Sequence, residues 1–276
     1  MFWKNKRIWI VGASSGIGAG LVIALAKEGA RLVISARREE LLKELAETSH
    51  ATAIISILPL DVEDLERSAI AAGQAWEIYD GLDYIFLNAG IAMRDRAVNS
   101  DMEVAQKVMR VNFWAPVAIT KALLPRLTAA KEAHLVVTSS LSGKFGVPQM
   151  SIYAASKHAL HGYFESLRTE VFQTGLKIHL AIPGFINTDI TLSGLKGDGT
   201  LYGKSQPSLA QGMDPLVCSE KILQSLEKNR EEFVIGGMEK YVIYFYRIFP
   251  GLAKKLMRAN PVKKVRELKE RFGKGK

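Results

Sequence analysis

Tyr153 and Lys157 stand four residues apart in Tyr153-Ala-Ala-Ser-Lys157, at the head of a stretch, 154–174, whose apolar spacing predicts a helix. Side chains four apart on a helix share one face, with Cβ atoms about 5–6 Å from each other. A phenol that titrates near 10 in water is a poor proton donor or acceptor at neutral pH. An ammonium on the next turn stabilises the phenolate and brings that value down. Ser140 lies thirteen residues before Tyr153, just past the apolar run Leu135–Thr138. There its hydroxyl would hydrogen-bond the same oxygen that the tyrosine protonates. The chemistry these groups suit is proton transfer at a carbonyl or alcohol oxygen. Taken alone, the pair would also suit the surface of an amphipathic helix, so the reading depends on what surrounds it.

A second set of residues supplies that context. Gly12-Ala13-Ser14-Ser15-Gly16-Ile17-Gly18 follows the first apolar run, Ile8–Val11, and leads into a helical pattern over Gly18–Lys27. Glycines at a strand-to-helix turn let the backbone bend sharply and approach a pyrophosphate, whose charge the free N–H groups of the helix receive. The spacing also suits a plain tight connection, but its place after the first strand is where a doubly wound fold binds a dinucleotide. The second run ends Ser35-Ala36-Arg37-Arg38. A carboxylate there would bind the ribose hydroxyls and repel a 2′-phosphate. Ala36 takes that place, and two guanidiniums, whose planar forks suit phosphate, stand beside it. As ordinary residues they would oppose the dipole of the following helix. The expected cofactor is therefore NADP(H) rather than NAD(H), and its oxidised nicotinamide would add a second cation against the Tyr153 phenolate. Asp61, followed by Val62, reads equally as a carboxylate beside the adenine amino group or as a helix N-cap, with Asp64 three residues on.

These residues need a frame that brings them together. Short β-branched runs at Ile8–Val11, Leu32–Ser35, 54–58, Tyr84–Leu87, Leu135–Thr138 and 177–182 alternate with helical patterns at 18–27, Glu39–Thr48, 63–78, 102–124 and 154–174. A last run falls at Glu232–Ile235. Strict alternation with unbroken apolar strands predicts an α/β fold, a doubly wound parallel sheet of Rossmann-like type, as a single domain over 1–237. The glycine-rich stretch 190–215 reads as a lid. With 276 residues, 48% hydrophobic and 24% charged, the chain falls outside the disordered, collagen-like and coiled-coil classes. The one cysteine, Cys218, excludes an intrachain disulfide and argues against a thiolate zinc site. His50, His134, His158, His161 and His179 fall in no ligand spacing, so no metal is expected, and His158 and His161 read as ordinary neighbours of Lys157. No uncharged run nears the roughly 18 residues of a membrane span, and the opening Met-Phe-Trp-Lys-Asn-Lys-Arg does not read as a secretory signal. The expected location is cytoplasmic.

In these motifs the chain resembles the short-chain dehydrogenase/reductase family, in order over roughly residues 6–190. It carries Gly12-x-x-x-Gly16-x-Gly18, Asn88-Ala89-Gly90, Asn112 within Val-Asn-Phe-Trp, Ser139-Ser140, Tyr153-x-x-x-Lys157 and Pro183-Gly184-x-x-x-Thr188. The resemblance implies a catalytic tetrad of Asn112, Ser140, Tyr153 and Lys157. Tyr153 would be the general acid/base, Ser140 would orient the substrate oxygen, Lys157 would hold the nicotinamide ribose, and Asn112 would organise a water relay. It also implies a cofactor pocket of Gly12, Ser14, Ser15, Gly16, Ile17, Gly18, Arg37, Arg38, Asp61, Val62, Asn88, Ala89, Gly90, Tyr153, Lys157, Pro183, Gly184, Ile186 and Thr188, with Thr188 on the carboxamide. Ser140 is preferred to Ser139 because thirteen residues is the family's usual distance to the tyrosine, and Ser142 stands second. One departure is that no basic residue sits inside the glycine loop, which leaves the phosphate to Arg37 and Arg38. The implied assembly is a homodimer or homotetramer paired through the helices around 102–124 and 153–174.

Substrate choice falls to 141–151, with Leu141, Phe145, Val147, Pro148 and Met150, and to 186–215, with Ile186, Ile190, Leu192, Leu195, Leu201 and Tyr202. This lining predicts a small apolar ketone, aldehyde or secondary alcohol as substrate of an NADP(H)-dependent oxidoreductase. The alternatives are a reductase of 3-oxoacyl groups on an acyl carrier protein and a non-catalytic NADP-binding sensor or scaffold. The net charge of +9 is concentrated in 238–276, which holds 12 Lys and Arg against 3 Asp and Glu, while the rest of the chain is balanced. This aromatic and basic extension reads as helical, and either as a membrane-surface segment or as a helix packed on the body or a partner subunit. Nucleic acid is not an expected partner, because the balanced body offers no matching basic face.

Overall fold

Every β-branched run of the sequence becomes a strand. The computed structural model describes residues 1–49, 53–204 and 207–258. The first half contains β1 (Arg7–Val11), α1 (Gly16–Lys27), β2 (Arg31–Ser35), α2 (Glu39–Thr48), β3 (Ile54–Ile57), α3 (Leu65–Ile78) and β4 (Tyr84–Leu87). Then come α4 (Met102–Met109), a π turn (Arg110–Trp114), α5 (Ala115–Ala129), β5 (Ala133–Thr138), α6 (Ser151–Glu170) and β6 (Leu176–Pro183). The chain continues through α7 (Pro207–Ala210), α8 (Pro215–Glu227), β7 (Glu232–Ile235), α9 (Tyr241–Ile248) and α10 (Pro250–Arg258). The seven strands form one parallel sheet in the order β3-β2-β1-β4-β5-β6-β7. The order reverses between β1 and β4, which opens a crevice at the carboxyl ends of those strands.

Alternation along the strands divides the core in two. Trp9, Val33, Ile85, Leu135 and Ile178 face α3, α5 and α6. Ile8, Ile10, Leu32, Ile34, Phe86 and Val136 face α1, α2 and α8. Polar side chains pair within these layers, although Ser68 Oγ on α3 is buried without a partner among the described residues. Trp9 Nε1 donates to Ser35 Oγ at 2.9 Å, and the buried imidazoles of His134 and His179 meet at 2.9 Å.

Three expectations change. The helix predicted over 102–124 is interrupted by the π turn and then runs through Pro125 to Ala129, giving up the amide bond that proline cannot make. Asp61 does not cap α3. Asp64 does, accepting from the Arg67 amide at 3.0 Å, while Asp61 closes a turn by accepting from the Glu63 amide at 3.0 Å. The boundary at residue 237 does not separate body from tail. Val242, Ile243 and Tyr246 of α9 pack on Leu141, Phe145 and Ile182. The remainder of the extension, 259–276, lies outside the described residues.

Within the described part of the glycine-rich stretch, residues 194–202 pack on the segment after β4. Leu195 bridges to Met93 and to Leu201, Arg94 donates its amide to the Leu195 carbonyl at 2.9 Å, and Asp95 Oδ2 accepts from the Gly197 amide at 3.1 Å.

Candidate active site

The glycine loop is shaped by close approach. Gly12 and Gly16 have φ of +87° and +56°, a region L side chains rarely adopt. A Cβ on Gly12 would stand 2.5 Å from the Ala89 amide nitrogen, and one on Gly16 would stand 2.9 Å from Thr188 Cγ2. Asn88 Nδ2 donates to the Gly12 carbonyl at 3.1 Å, so the loop after β4 holds the loop after β1. Ser15 stands at the cap of α1 without a capping side-chain bond, and Ile17 lies in the first turn. A cradle in which a Cβ would clash, opening on an uncapped helix start, fits a dinucleotide pyrophosphate.

The carboxyl end of β2 carries the two arginines. Arg38 Nη2 donates to Ser14 Oγ at 3.3 Å, which ties the guanidinium to the glycine loop. Arg37 lines a groove of about 620 Å³ with Pro59, Leu60, Asp61, Glu63, Asp64 and Arg67. The acids in this groove are engaged: Asp61 and Asp64 hold backbone amides, and Glu63 pairs with Lys107 at 2.8 Å. Val62 is buried in the core with Val11, Leu60 and Leu87. Arg67 is a third cation here that the sequence reading missed, because its place depends on how α3 meets β2.

Four side chains converge where β4 and β5 end. The π turn buries Asn112 completely. Its Oδ1 accepts from the Ile91 amide at 2.8 Å, and its Nδ2 donates to the Ile91 carbonyl at 2.9 Å and to Ser156 Oγ at 3.0 Å. Lys157 is 4% exposed, and its Nζ donates to the Thr138 carbonyl at 2.9 Å. Both Asn112 Oδ1 and Lys157 Nζ crowd the Cα of Gly90, within 3.3 and 3.5 Å of where a Cβ would stand. Ser140 stands close enough to the Tyr153 phenol to lower its pKa, and its Oγ accepts from the Ser142 amide at 3.2 Å. Ser139 points the other way, with its Oγ 2.9 Å from His161 Nε2. Geometry thus places Ser140, not its neighbour, with the tyrosine.

Burial sets the protonation balance of this pair. It pushes the Tyr153 phenol above its usual value, while the Ser140 side chain pulls it back. The same burial brings the Lys157 ammonium down to about 8. Its Nζ lies 5.9 Å from the tyrosine ring centroid, bonded elsewhere, and does not lower the phenol. Desolvation works against both charged forms, so a lowered phenol needs a further cation in the crevice.

Pro183 ends β6 in register with Ile235, and Gly184 follows. Ile186 is buried and bridges to Met213, which fixes the stretch leading to Thr188. Two further groups shape the site. Glu239 Oε1 accepts from the amides of Phe185 at 3.1 Å and Gly237 at 2.9 Å, and a Cβ on Gly184 or Gly236 would stand 2.5 or 2.6 Å from it. This carboxylate latches the Pro183-Gly184 loop, and the paired Gly236-Gly237 was its sequence signal. His161 is the second. Four residues beyond Lys157, it is no ordinary neighbour but a buried imidazole joining Ser139 to Glu165, with Nδ1 at 3.2 Å from the carboxylate. Glu165, Glu232 and His161 come within metal-ligand distance of one another, but Lys144 Nζ occupies the cluster at 2.7 Å from Glu232 and 3.5 Å from Glu165.

Residues 6–196 match the family described as short chain dehydrogenase. The chain belongs to the short-chain dehydrogenase/reductase family. Its members are oxidoreductases built on this sheet. The bovine (Bos taurus) "Dehydrogenase/reductase SDR family member 7B" is 36% identical over 274 residues, covering 96% of this chain and 84% of the relative. A short-chain dehydrogenase/reductase from Burkholderia phymatum in complex with NAD superposes with a TM-score of 0.75 at 22% identity, covering 85% of this chain and 90% of that one. A short-chain dehydrogenase from Sphingobium yanoikuyae in complex with NADPH gives 0.72 at 21%, covering 95% and 94%. At those identities the two solved structures speak for the fold.

Proposed function

We propose that this oxidoreductase uses NADP(H) to interconvert an apolar ketone or aldehyde with the corresponding alcohol, with Tyr153 as general acid/base. The observation that carries the reading is the joining of a buried phenol, hydroxyl, ammonium and carboxamide at the carboxyl ends of β4 and β5. Ser140 Oγ, steadied by the Ser142 amide, would orient the substrate oxygen. Tyr153 would give it a proton on reduction and take one on oxidation. Lys157, its ammonium held on the Thr138 carbonyl, would hold the ribose and lend its charge to the phenolate once the nucleotide is bound. Asn112 anchors the loop after β4 and so sets where Gly90 and Lys157 stand. The nicotinamide supplies or accepts the hydride.

The preference for NADP(H) rests on Arg37, Arg38 and Arg67, with no unengaged carboxylate among the groove residues named above. The apolar substrate rests on Leu192 and Leu201, which stand exposed on the lid, since Leu141 and Phe145 are turned toward α9. Subunit pairing through α4, α5 and α6 is supported by the exposed Met102, Trp114 and Phe172.

The test follows reduced-nicotinamide absorbance against a panel of apolar carbonyl compounds. NADPH should give a KM at least about tenfold below NADH, the effect of roughly one charge-assisted phosphate contact. Tyr153→Phe should reduce turnover at least about 10²-fold while NADPH binding, read by fluorescence, stays nearly unchanged. Equal KM values would reject the cofactor preference, and a Tyr153→Phe variant within tenfold of the parent would reject the general acid.

A further inference from the structure

The C-terminal helices carry two apolar faces, and the body uses one. On the inner side of α9 the Tyr246 ring stacks on Phe145 at 5.9 Å, beside Val242 and Ile243. On the outer side Tyr241, Tyr244 and Ile248 follow one another at helical spacing, all exposed, Ile248 by 66%. Phe249, Leu252 and Leu256 continue that apolar surface along α10, with Leu252 52% exposed. Cations flank it: Lys240, Arg247, Lys254, Lys255 and Arg258. The one acid between 238 and 258, Glu239, is turned inward onto the Phe185 and Gly237 amides, so it does not offset them.

We propose that α9 and α10 dock the chain on a bilayer surface rich in anionic lipid. The outer stripe enters the headgroup layer, and the five cations meet the lipid charges. Among the described residues no helix is long and apolar enough to cross a membrane, so the contact is interfacial. A second copy is the poorer occupant, because a two-fold contact sets this cationic face against itself. A nucleic acid would satisfy the cations and leave Ile248, Leu252 and Leu256 without an apolar environment. Because the inner side of α9 rests on residues 141–147, the substrate loop lies about one helix diameter, roughly 10–12 Å, from the lipid. An apolar substrate dissolved in the membrane would then be delivered beside Ser140, a consequence that rests on the substrate class proposed above.

The full chain is sedimented with vesicles of phosphatidylcholine alone and of phosphatidylcholine with phosphatidylserine, beside the double variants Ile248→Ser/Leu252→Ser and Lys254→Glu/Lys255→Glu. Partition onto the anionic vesicles should exceed that onto the neutral ones, and each double variant should lower it at least about tenfold. Circular dichroism and turnover of a water-soluble carbonyl should match the parent. Sedimentation reads lipid binding whether or not the enzyme is active, so failure of the proposed reaction leaves this result interpretable. Pelleting equal with and without vesicles, equal partition of parent and both variants, tighter binding to an oligonucleotide, or conversion of an oligomer to monomer by either variant would overturn the proposal.

Discussion

The chemistry of the site depends on a charge held where water cannot reach it. Lys157 is buried with one recorded hydrogen bond, to the Thr138 carbonyl, and its pKa is depressed from 10.5 to about 8. Between those values the unfolded chain keeps a proton that the folded chain has lost, so this residue makes stability rise with pH from about 8 to 10.5. Below about 8 both states are protonated, and burying the ammonium costs roughly 3 kcal/mol at most. Lys157→Met should therefore raise the melting temperature at pH 7, remove the alkaline rise, and cut turnover by about 10²-fold or more. Calorimetry across pH beside steady-state kinetics would check it. A variant both less stable and fully active would contradict the assignment.

At the scale of elements, the π turn between α4 and α5 decides where Asn112 points. One extra residue in the turn rotates its carboxamide onto the loop after β4, where it satisfies both the N–H and the C=O of Ile91 and reaches Ser156. That loop carries Gly90, against which Lys157 and the glycine loop are set. Asn112→Ala leaves buried groups unpaired and should cost about 2–4 kcal/mol, read as a lower urea midpoint at unchanged slope. It should also lower turnover more than it raises the cofactor KM, since Asn112 bonds to Ile91 and Ser156 and to no residue of the glycine loop or of the arginine pair. A variant of parental stability would show that the amide bonds to Ile91 are not what holds the loop.

Across the whole molecule, α9 is part of the body although its composition sets it apart. Ending the chain at residue 237 would expose Leu141, Phe145 and Ile182 and release the Glu239 latch, whereas a chain ending at residue 258 keeps Val242, Ile243 and Tyr246 on them and keeps Glu239 in place. The shorter chain should lose several kcal/mol, at about 1.5–3 kcal/mol per apolar side chain uncovered, and should melt well below the longer one. Acid provides a second global test. Burial depresses His134 to about 3 and also lowers His161 and His179 from the ordinary 6.5. Below 6.5 the unfolded chain takes up protons that the folded chain refuses, so stability falls progressively as pH drops from 6.5 toward 3. The melting temperature should decline through that window, and less steeply in His134→Gln. A flat profile between pH 7 and 5 would contradict the burial of these imidazoles.

The strands, the glycine loop and the Tyr153–Lys157 pair were legible because each depends on local chemistry: side-chain alternation, a turn that admits no Cβ, and a spacing that shares a helix face. The order of the motifs was enough to place them at the carboxyl ends of one sheet. Tertiary structure alone decided what depends on partners far along the chain. It turned Ser139 to His161 and left Ser140 to Tyr153, gave the cap of α3 to Asp64, set Arg67 beside Arg37, and brought Glu239 across to Gly184. It also set the burial that works against the charged forms of Tyr153 and Lys157, because desolvation is a property of everything packed around a group and of no residue's spacing from another.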